Sequence, residues 1–341
     1  MKKDITRAIL FCIGTALLFM AVSSVFRLDS QITETSVKGF YAEDTALDAV
    51  YIGASGVYRY WQAPIAWDAY GMAVLDFSTS AQPDAAKKYI IEDCLREQDP
   101  DLIILCARGF AGEDPDKKIF SMHHLFDYYR PSVTKLKMID AVCDSMGVYG
   151  PERLEYYFPI VRFHARWTSL QKSNFRRDVS TVKNALCDDE FFTSVVDYRG
   201  PFIQTDNREE LMPVNESLLI DLLDYCDTLQ TPVLFVISPT LEDDGRKEQF
   251  NTIGDIIRQR GYDFINFDRA DLVEDMGLLI PDDFQDRNHT NLNGSIKYTL
   301  YFGKILSEYY DLPDHRDDPA YTSWDAAYRE YTEIIAPYLN E

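Results

Sequence analysis

The sequence predicts an α/β protein: a three-layer α/β/α sandwich around a mostly parallel sheet, interrupted by a long central insertion. Three observations point there. Five short runs are rich in β-branched and aromatic residues and are bounded by turn or charged residues: 49–53 (AVYIG), 73–77 (AVLDF), 102–107 (LIILCA), 232–238 (PVLFVIS) and 264–267 (FINF). Most are apolar without alternation, as strands buried on both faces of a parallel sheet are. Helix-patterned segments, 85–98, 216–229 and 249–260, lie between the runs, and this alternation sandwiches a sheet between helical layers.

Taken in order, the chain starts basic (Lys2, Lys3, Arg7) and continues into an apolar run, 8–26, closed by Arg27. As a helix that run rises about 29 Å, enough to cross a hydrocarbon core of about 30 Å. Basic residues ahead of it favour a cytoplasmic amino terminus, so 1–28 predicts a cytoplasmic tip and a transmembrane signal-anchor. A cleaved signal peptide is the alternative, because Ala21-Val22-Ser23 resembles a small-residue cleavage site. Both readings export the remainder. Residues 29–46 are polar and predict a juxtamembrane linker, with the folded domain over 47–310. Within it, Leu218, Leu219, Leu222, Leu223 and Cys226 share one helical face, with Asn215 as N-cap. Residues 110–212 are too long for an ordinary crossover and predict an insertion carrying loops over the site. Its segments 156–159 (YYFP) and 163–167 (FHARW) fit either a substrate groove or packing. The acidic, aromatic tail, 311–341, predicts a short amphipathic helix packed on the domain.

Composition narrows the function. The 34 Lys and Arg against 56 Asp and Glu leave a net charge of −22, which repels phosphate backbones and argues against nucleic acid as a partner. A hydrophobic share of 46% supplies a core and argues against wholesale disorder. Of six cysteines, Cys12 lies in the apolar run. The other five are an odd, widely spaced set without a CxxC, so neither zinc nor an obligatory disulfide is predicted. Cys106, inside LIILCA, reads as a small core residue.

Two blocks can carry chemistry. Gly53-Ala54-Ser55-Gly56 follows directly on the first strand run, and strand carboxyl ends open into the ligand crevice of a parallel sheet. Glycine on both sides of the turn lets the backbone bend sharply beside a bound carbonyl. Alone, this block is equally a turn or a phosphate-binding loop. The second block is Asp286-Arg287-Asn288-His289, followed by a helical run. An Asp three residues before a His can hold one imidazole nitrogen while the other faces a serine. The bland alternative is a capping loop, with Asn293 as N-cap and His289 merely hydrogen-bonded.

Together, in this order, the blocks resemble the SGNH/GDSL hydrolase superfamily, whose fold is flavodoxin-like. More narrowly, the chain is similar to the membrane-anchored DltD-like and alginate O-acetylation branch of exported acyl-transfer proteins. The resemblance rests on the amino-terminal anchor, AVYIGAS, LDFSTSAQ, the strand ending VISP, and DRNHTNLNG, and covers about 48–310. It implies Ser55 as nucleophile, His289 as base and Asp286 as orienting acid, with no cofactor. Two departures stand out. Ala54 replaces the Asp of GDSL, and no Asn follows the third strand run, where Arg108-Gly109-Phe110 stands instead. Oxyanion donors must then come from the Ser55 backbone, a backbone N–H near Ser78 to Ser80, or Arg108, which can equally pair with a surface carboxylate.

Gly53, Gly56, Ser78, Asn291, Arg108, His164 and Arg166 complete the candidate substrate-contacting set. His164 and Arg166, just before Trp167, suit an acyl donor or anionic polymer group as well as a structural role. His123 and His124 read as a solvated loop and His315 as surface. The resemblance implies transfer of an acyl group, acetyl or D-alanyl, to a cell-surface glycan or teichoic-type polymer, beside a membrane O-acyltransferase partner. An exported esterase or deacetylase, or a non-catalytic scaffold or glycan-binding partner, are the rival classes.

Overall fold

The computed structural model describes residues 2–28, 30–112, 121–175 and 179–339. The basic-apolar start of the chain is one unbroken helix, α1 (Lys2–Val25). An 18-residue window within Lys3–Val25 has a mean hydropathy of 2.3, and the helix is long and apolar enough to cross a membrane. Apolar side chains such as Leu10 and Phe11 point outward from it.

The expected linker at 29–46 is instead largely a helix, α2 (Gln31–Ala42), docked on the sheet edge. Val37 and Phe40 are buried, and Phe40 stacks on Phe77 with ring centroids 4.0 Å apart. The Ser36 hydroxyl donates to Asp76 Oδ2 (2.9 Å) and accepts the Ser78 N–H (2.9 Å). The apolar stripe of α2 is too narrow to stand out among its polar neighbours.

Five parallel strands form the sheet. They are β1 (Ala49–Gly53), β2 (Val74–Ser78), β3 (Leu102–Cys106), β4 (Val233–Ile237) and β5 (Asp263–Asn266), in the order β2-β1-β3-β4-β5. Every residue of the first four is buried, which explains the unbroken apolarity of β1, β3 and β4; in β2 the buried Asp76 and Ser78 bond to each other and to Ser36. In this doubly wound order the winding reverses between β1 and β3, and a ligand crevice opens there beyond the strand ends. Ser55 follows β1 and Arg108 follows β3.

After β1 come α3 (Ser55–Tyr58) and α4 (Ala63–Tyr70), and between β2 and β3 lies α5 (Lys87–Glu97), which packs on β1. The other face of β1 receives a late helix. Tyr51 meets Phe302 at 5.8 Å between centroids, and its hydroxyl lies 3.1 Å from that of Tyr298. The insertion is a series of helical pieces: α6 (Met122–Phe126), α7 (Val133–Ser145), α8 (Leu154–Tyr157), α9 (Ile160–Phe163), α10 (Lys172–Phe175) and α11 (Asp189–Thr193). Among the described residues it contains no strand.

Caps move several expected boundaries. Helix α12 (Pro213–Cys226) starts at a proline, whose fixed φ suits the first turn. Asn215 is therefore inside the helix, buried, with its amide 3.4 Å from the Gly112 carbonyl, and is not the N-cap. Helix α13 (Asp244–Arg260) begins five residues earlier than its apolar pattern, because the Asp243 side chain accepts the Arg246 N–H at 3.3 Å. Beyond β5 lie α14 (Ala270–Asp275), a short antiparallel pair β6 (Phe284–Asp286) and β7 (His289–Thr290), and α15 (Leu292–Tyr309).

The tail forms α16 (Thr322–Ile335), packed on α4. Trp324 is fully buried 5.5 Å from Trp67, whose indole donates to Asp325 at 3.0 Å. Ring burial of this size contributes roughly 4–6 kcal/mol of gross transfer free energy per residue. His315 is half-buried rather than free at the surface: its ring stacks on Tyr321 at 4.2 Å, and its Nε2 lies 2.8 Å from Asp48 Oδ1. His123 is likewise buried in α6 rather than solvated, with Nδ1 3.1 Å from Asp127 one turn on, and burial lowers the pKa of half-buried His124.

Candidate active site

At the carboxyl end of β1 the chain has room only for glycine. A Cβ on Gly53 would sit 2.7 Å from Val57 Cγ2 and 2.8 Å from Cys106 Cβ. One on Gly56 would meet Ser238 Oγ at 2.9 Å and Arg108 Cζ at 3.2 Å. Their absence lets β1 turn straight into α3, with Ser55 as its first residue and the Arg108 guanidinium against the next one.

The partners of Ser55 arrive from 234 residues away. Two contacts fix the β6–β7 hairpin to the end of α3. The Thr290 hydroxyl donates to the Arg59 carbonyl (2.6 Å), and the Arg59 guanidinium donates to Gln285 Oε1. Clamped this way, His289 presents Nε2 to Ser55 Oγ at 2.7 Å and Nδ1 to the Asp286 carboxylate at 2.8 Å from Oδ2 and 3.0 Å from Oδ1. Asp286 Oδ1 also accepts the Asn288 N–H at 2.7 Å. An ionised carboxylate only accepts, so the ring proton sits on Nδ1, and Nε2 is left to accept from the serine hydroxyl.

The electrostatics favour that state. Burial pushes the His289 pKa below its ordinary value, and the cationic Arg108 and Arg59 push the same way, against the pull of Asp286. Burial alone would raise the Asp286 carboxyl. Its bond to His289, the His289 charge, the Asn288 N–H and Arg59 together hold it below the usual carboxylate range. At neutral pH the site therefore contains a neutral imidazole, a carboxylate and a hydroxyl, the arrangement in which a histidine can take a serine proton.

A cavity of about 180 Å³ adjoins the serine, lined by Ala54, Gly56, Gln82, Cys106, Arg108 and Asn288 among others. Arg108 donates to the Asn288 carbonyl at 2.7 Å and lies 3.4 Å from both Tyr60 Oη and Ser238 Oγ, so it is held inside the crevice rather than paired with a surface carboxylate. Lys87, also on the wall, is neutralised by Asp84 at 2.5 Å. Cys106 is buried at the base of the site.

Gln82 is the residue that sequence reasoning missed. It is 1% exposed, and neither amide atom has a hydrogen-bond partner among the described residues. A buried, unpaired primary amide costs about 1–3 kcal/mol unless a ligand or water satisfies it. It follows the STSA loop after β2, where Ala81 adopts a left-handed φ of +46°, and only its place in the quoted LDFSTSAQ block hinted at a role.

Other expected residues lie elsewhere in function or in space. Ser78 cannot serve as a donor, because its N–H is taken by Ser36 and its hydroxyl donates to Asp76 at 2.5 Å. Asn291, not Asn293, is the N-cap of α15, accepting the Gly294 N–H at 3.2 Å; its amide donates to Asp282 and Ser194 carbonyls. His164 is exposed, with Nδ1 3.2 Å from the Val161 carbonyl, and Arg166 donates to the Arg27 carbonyl beside the end of α1. The site thus gathers Ser55, His289, Asp286, Gly53, Gly56 and Arg108, and leaves out Ser78, Asn291, His164 and Arg166. Protein-family models give no match to this chain, and no curated protein matches it.

Proposed function

We propose that this protein is an exported, membrane-anchored serine acyltransferase of the SGNH type, working through an acyl-serine intermediate. The observation that carries the reading is the continuous chain of hydrogen bonds from Ser55 Oγ through His289 to Asp286, at 2.7 and 2.8 Å. Ser55 Oγ attacks the carbonyl carbon of an acyl ester or thioester as its proton passes to His289 Nε2. The tetrahedral intermediate collapses by breaking the bond to the leaving alcohol or thiol, which takes the proton from His289. An acceptor hydroxyl of a surface glycan or teichoic-type polymer then enters by the reverse steps and leaves as the new ester.

The oxyanion in both halves needs donors. The Ser55 backbone N–H, the unpaired Gln82 amide and the Arg108 guanidinium are the groups this chain offers, and Gln82 takes the part of the missing Asn. The cavity has room for a short acyl group, since roughly 150 Å³ suffices for a benzene ring. Acetyl and D-alanyl both fit. Helix α1 supports the anchored placement: Lys2, Lys3 and Arg7 lie on the inner side and the domain outside, where a membrane O-acyltransferase can hand over the acyl group.

Hydrolysis is the second reading, favoured by the openness of the crevice to water: the His289 side chain retains 19% exposure. Purified full-length protein given an activated acetyl ester with and without an acetylatable glycan separates the two. Transfer predicts acetylated glycan at the expense of free acetate. Free acetate at an unchanged rate, with no glycan product, would assign the chain to the esterases.

A further inference from the structure

We propose that the insertion segment 158–175 lies in the membrane interface, forming a basic-aromatic collar around the outer end of α1. Three contacts strap this segment along one stripe of the anchor. The Phe158 ring packs on Phe19 at 5.1 Å, the Ile160 N–H donates to Ser23 Oγ at 3.2 Å, and the Arg166 guanidinium donates to the Arg27 carbonyl. Phe19 and Ser23 lie four residues apart, the spacing of neighbours on a helix face, and Arg27 follows two residues past the helix end. Phe19 lies about 9 Å before the end of α1 at Val25. If α1 spans the bilayer, Phe158 therefore reaches about 9 Å below the outer end of the anchor, within the roughly 5–10 Å to which amphipathic interfacial segments bury their apolar side chains.

The exposed chemistry of the segment matches that depth. Val161, Trp167 and Phe175 are 46%, 71% and 66% exposed, a cost in water without a covering partner. The cations between Phe158 and Phe175 are Arg162, Arg166 and Lys172, and no Asp or Glu occurs there, in a chain whose net charge is −22. Tryptophan with arginine and lysine is the composition of a membrane-interface belt, and the local positive charge complements anionic headgroups. The occupant of this surface is accordingly the outer leaflet of the bilayer that holds α1. The collar fixes how the domain stands on the membrane, which a single helix followed by a flexible tether would not do.

This inference rests on the anchor reading above, and a fluorescence experiment keeps the two apart. Trp61, Trp67 and Trp324 are no more than 1% exposed, so Trp167 is the fluorophore that contact quenchers can reach. Full-length protein is reconstituted in nanodiscs of phosphatidylcholine and phosphatidylglycerol, with or without bromine on the acyl carbons next to the headgroup. Tryptophan emission is compared with that of Trp167→Phe, and aqueous acrylamide is the opposing quencher. The collar predicts that brominated lipid removes most of the Trp167 emission and that acrylamide has little effect. Incorporation with Trp167 open to acrylamide and untouched by bromine would overturn the collar and leave the anchor standing. Shielding from both quenchers would assign the surface to another protein and overturn the lipid assignment. Failure of the full-length protein to incorporate would overturn both readings together.

Discussion

Strand β1 carries a histidine–carboxylate pair at each end, alike in bond length and opposite in consequence. At its amino end Asp48 accepts from His315 at 2.8 Å and from the Ala73 N–H at 2.6 Å, which ties the tail to the sheet. At its carboxyl end Asp286 accepts from His289 at 2.8 Å, and the other ring nitrogen meets Ser55. His315 is stacked flat on Tyr321, whereas His289 adjoins a cavity lined by Arg108 and Gln82. The pair itself is thus not what makes a histidine a base. A third group on the free nitrogen, at the strand end where the sheet opens, makes the difference.

That contrast can be broken from either end. Ser55→Ala or His289→Ala should lower turnover of an activated acetyl ester by about 10⁴-fold or more, with no further loss in the double variant, because the residues act as one unit. Asp286→Asn, which leaves shape intact but loses the tautomer control, should cost about 10³- to 10⁴-fold in the same assay. Gln82→Leu should lower kcat about 10²-fold with little change in KM, the signature of a donor used chiefly in the transition state, and should not destabilise the fold. An unchanged kcat in Gln82→Leu would remove it from the oxyanion site.

His315→Phe, which keeps a ring against Tyr321 and has no donor, sharpens the comparison by doing the reverse. Activity should stay at the parent level, while stability to urea falls by about 1.5–3 kcal/mol, the range for a hydrogen bond to a charged group. The pH dependence has a defined sign. Burial raises the Asp48 pKa above the carboxylate norm, against the pull of His315 and the Ala73 N–H, so the fold favours protonated Asp48. Its contribution is complete below the unfolded value of about 3.9 and is lost as pH rises through the folded value. Removing the His315 donor raises the folded value further. The deficit of His315→Phe should therefore be largest at neutral pH and shrink on acidification.

The opposite sign holds for His289. Its pKa is depressed, so the neutral base persists to lower pH than in a free imidazole. The acid limb of kcat/KM should have its midpoint below about 6.5. A midpoint above that value would contradict the burial of His289 and the influence of Arg108 and Arg59.

The two ends of β1 were also unequally legible in the sequence. Strands with both faces buried are largely apolar, so β1, β3 and β4 stand out, while β2 carries a buried Asp76 and β5 is only partly covered. The Ser55 and Asp286–His289 blocks are legible because each is contiguous and sits beside a strand or helix boundary. What is hidden depends on contacts between distant segments. Asp48 and His315 meet across 267 residues and carry no local spacing. Helix α2 reads as polar because only a narrow stripe of it is buried. Gln82 gains its meaning from the absence of partners, which no sequence pattern records.

The most direct measurement is a rapid-quench experiment on full-length protein mixed with an activated acetyl ester, followed by peptide mass spectrometry. An activated Ser55 predicts a burst of leaving group and an acetyl increment on the peptide containing Ser55, both abolished in Ser55→Ala and slowed in Asp286→Asn. Turnover without a burst, or an acetyl adduct at another residue that persists in Ser55→Ala, would contradict the account.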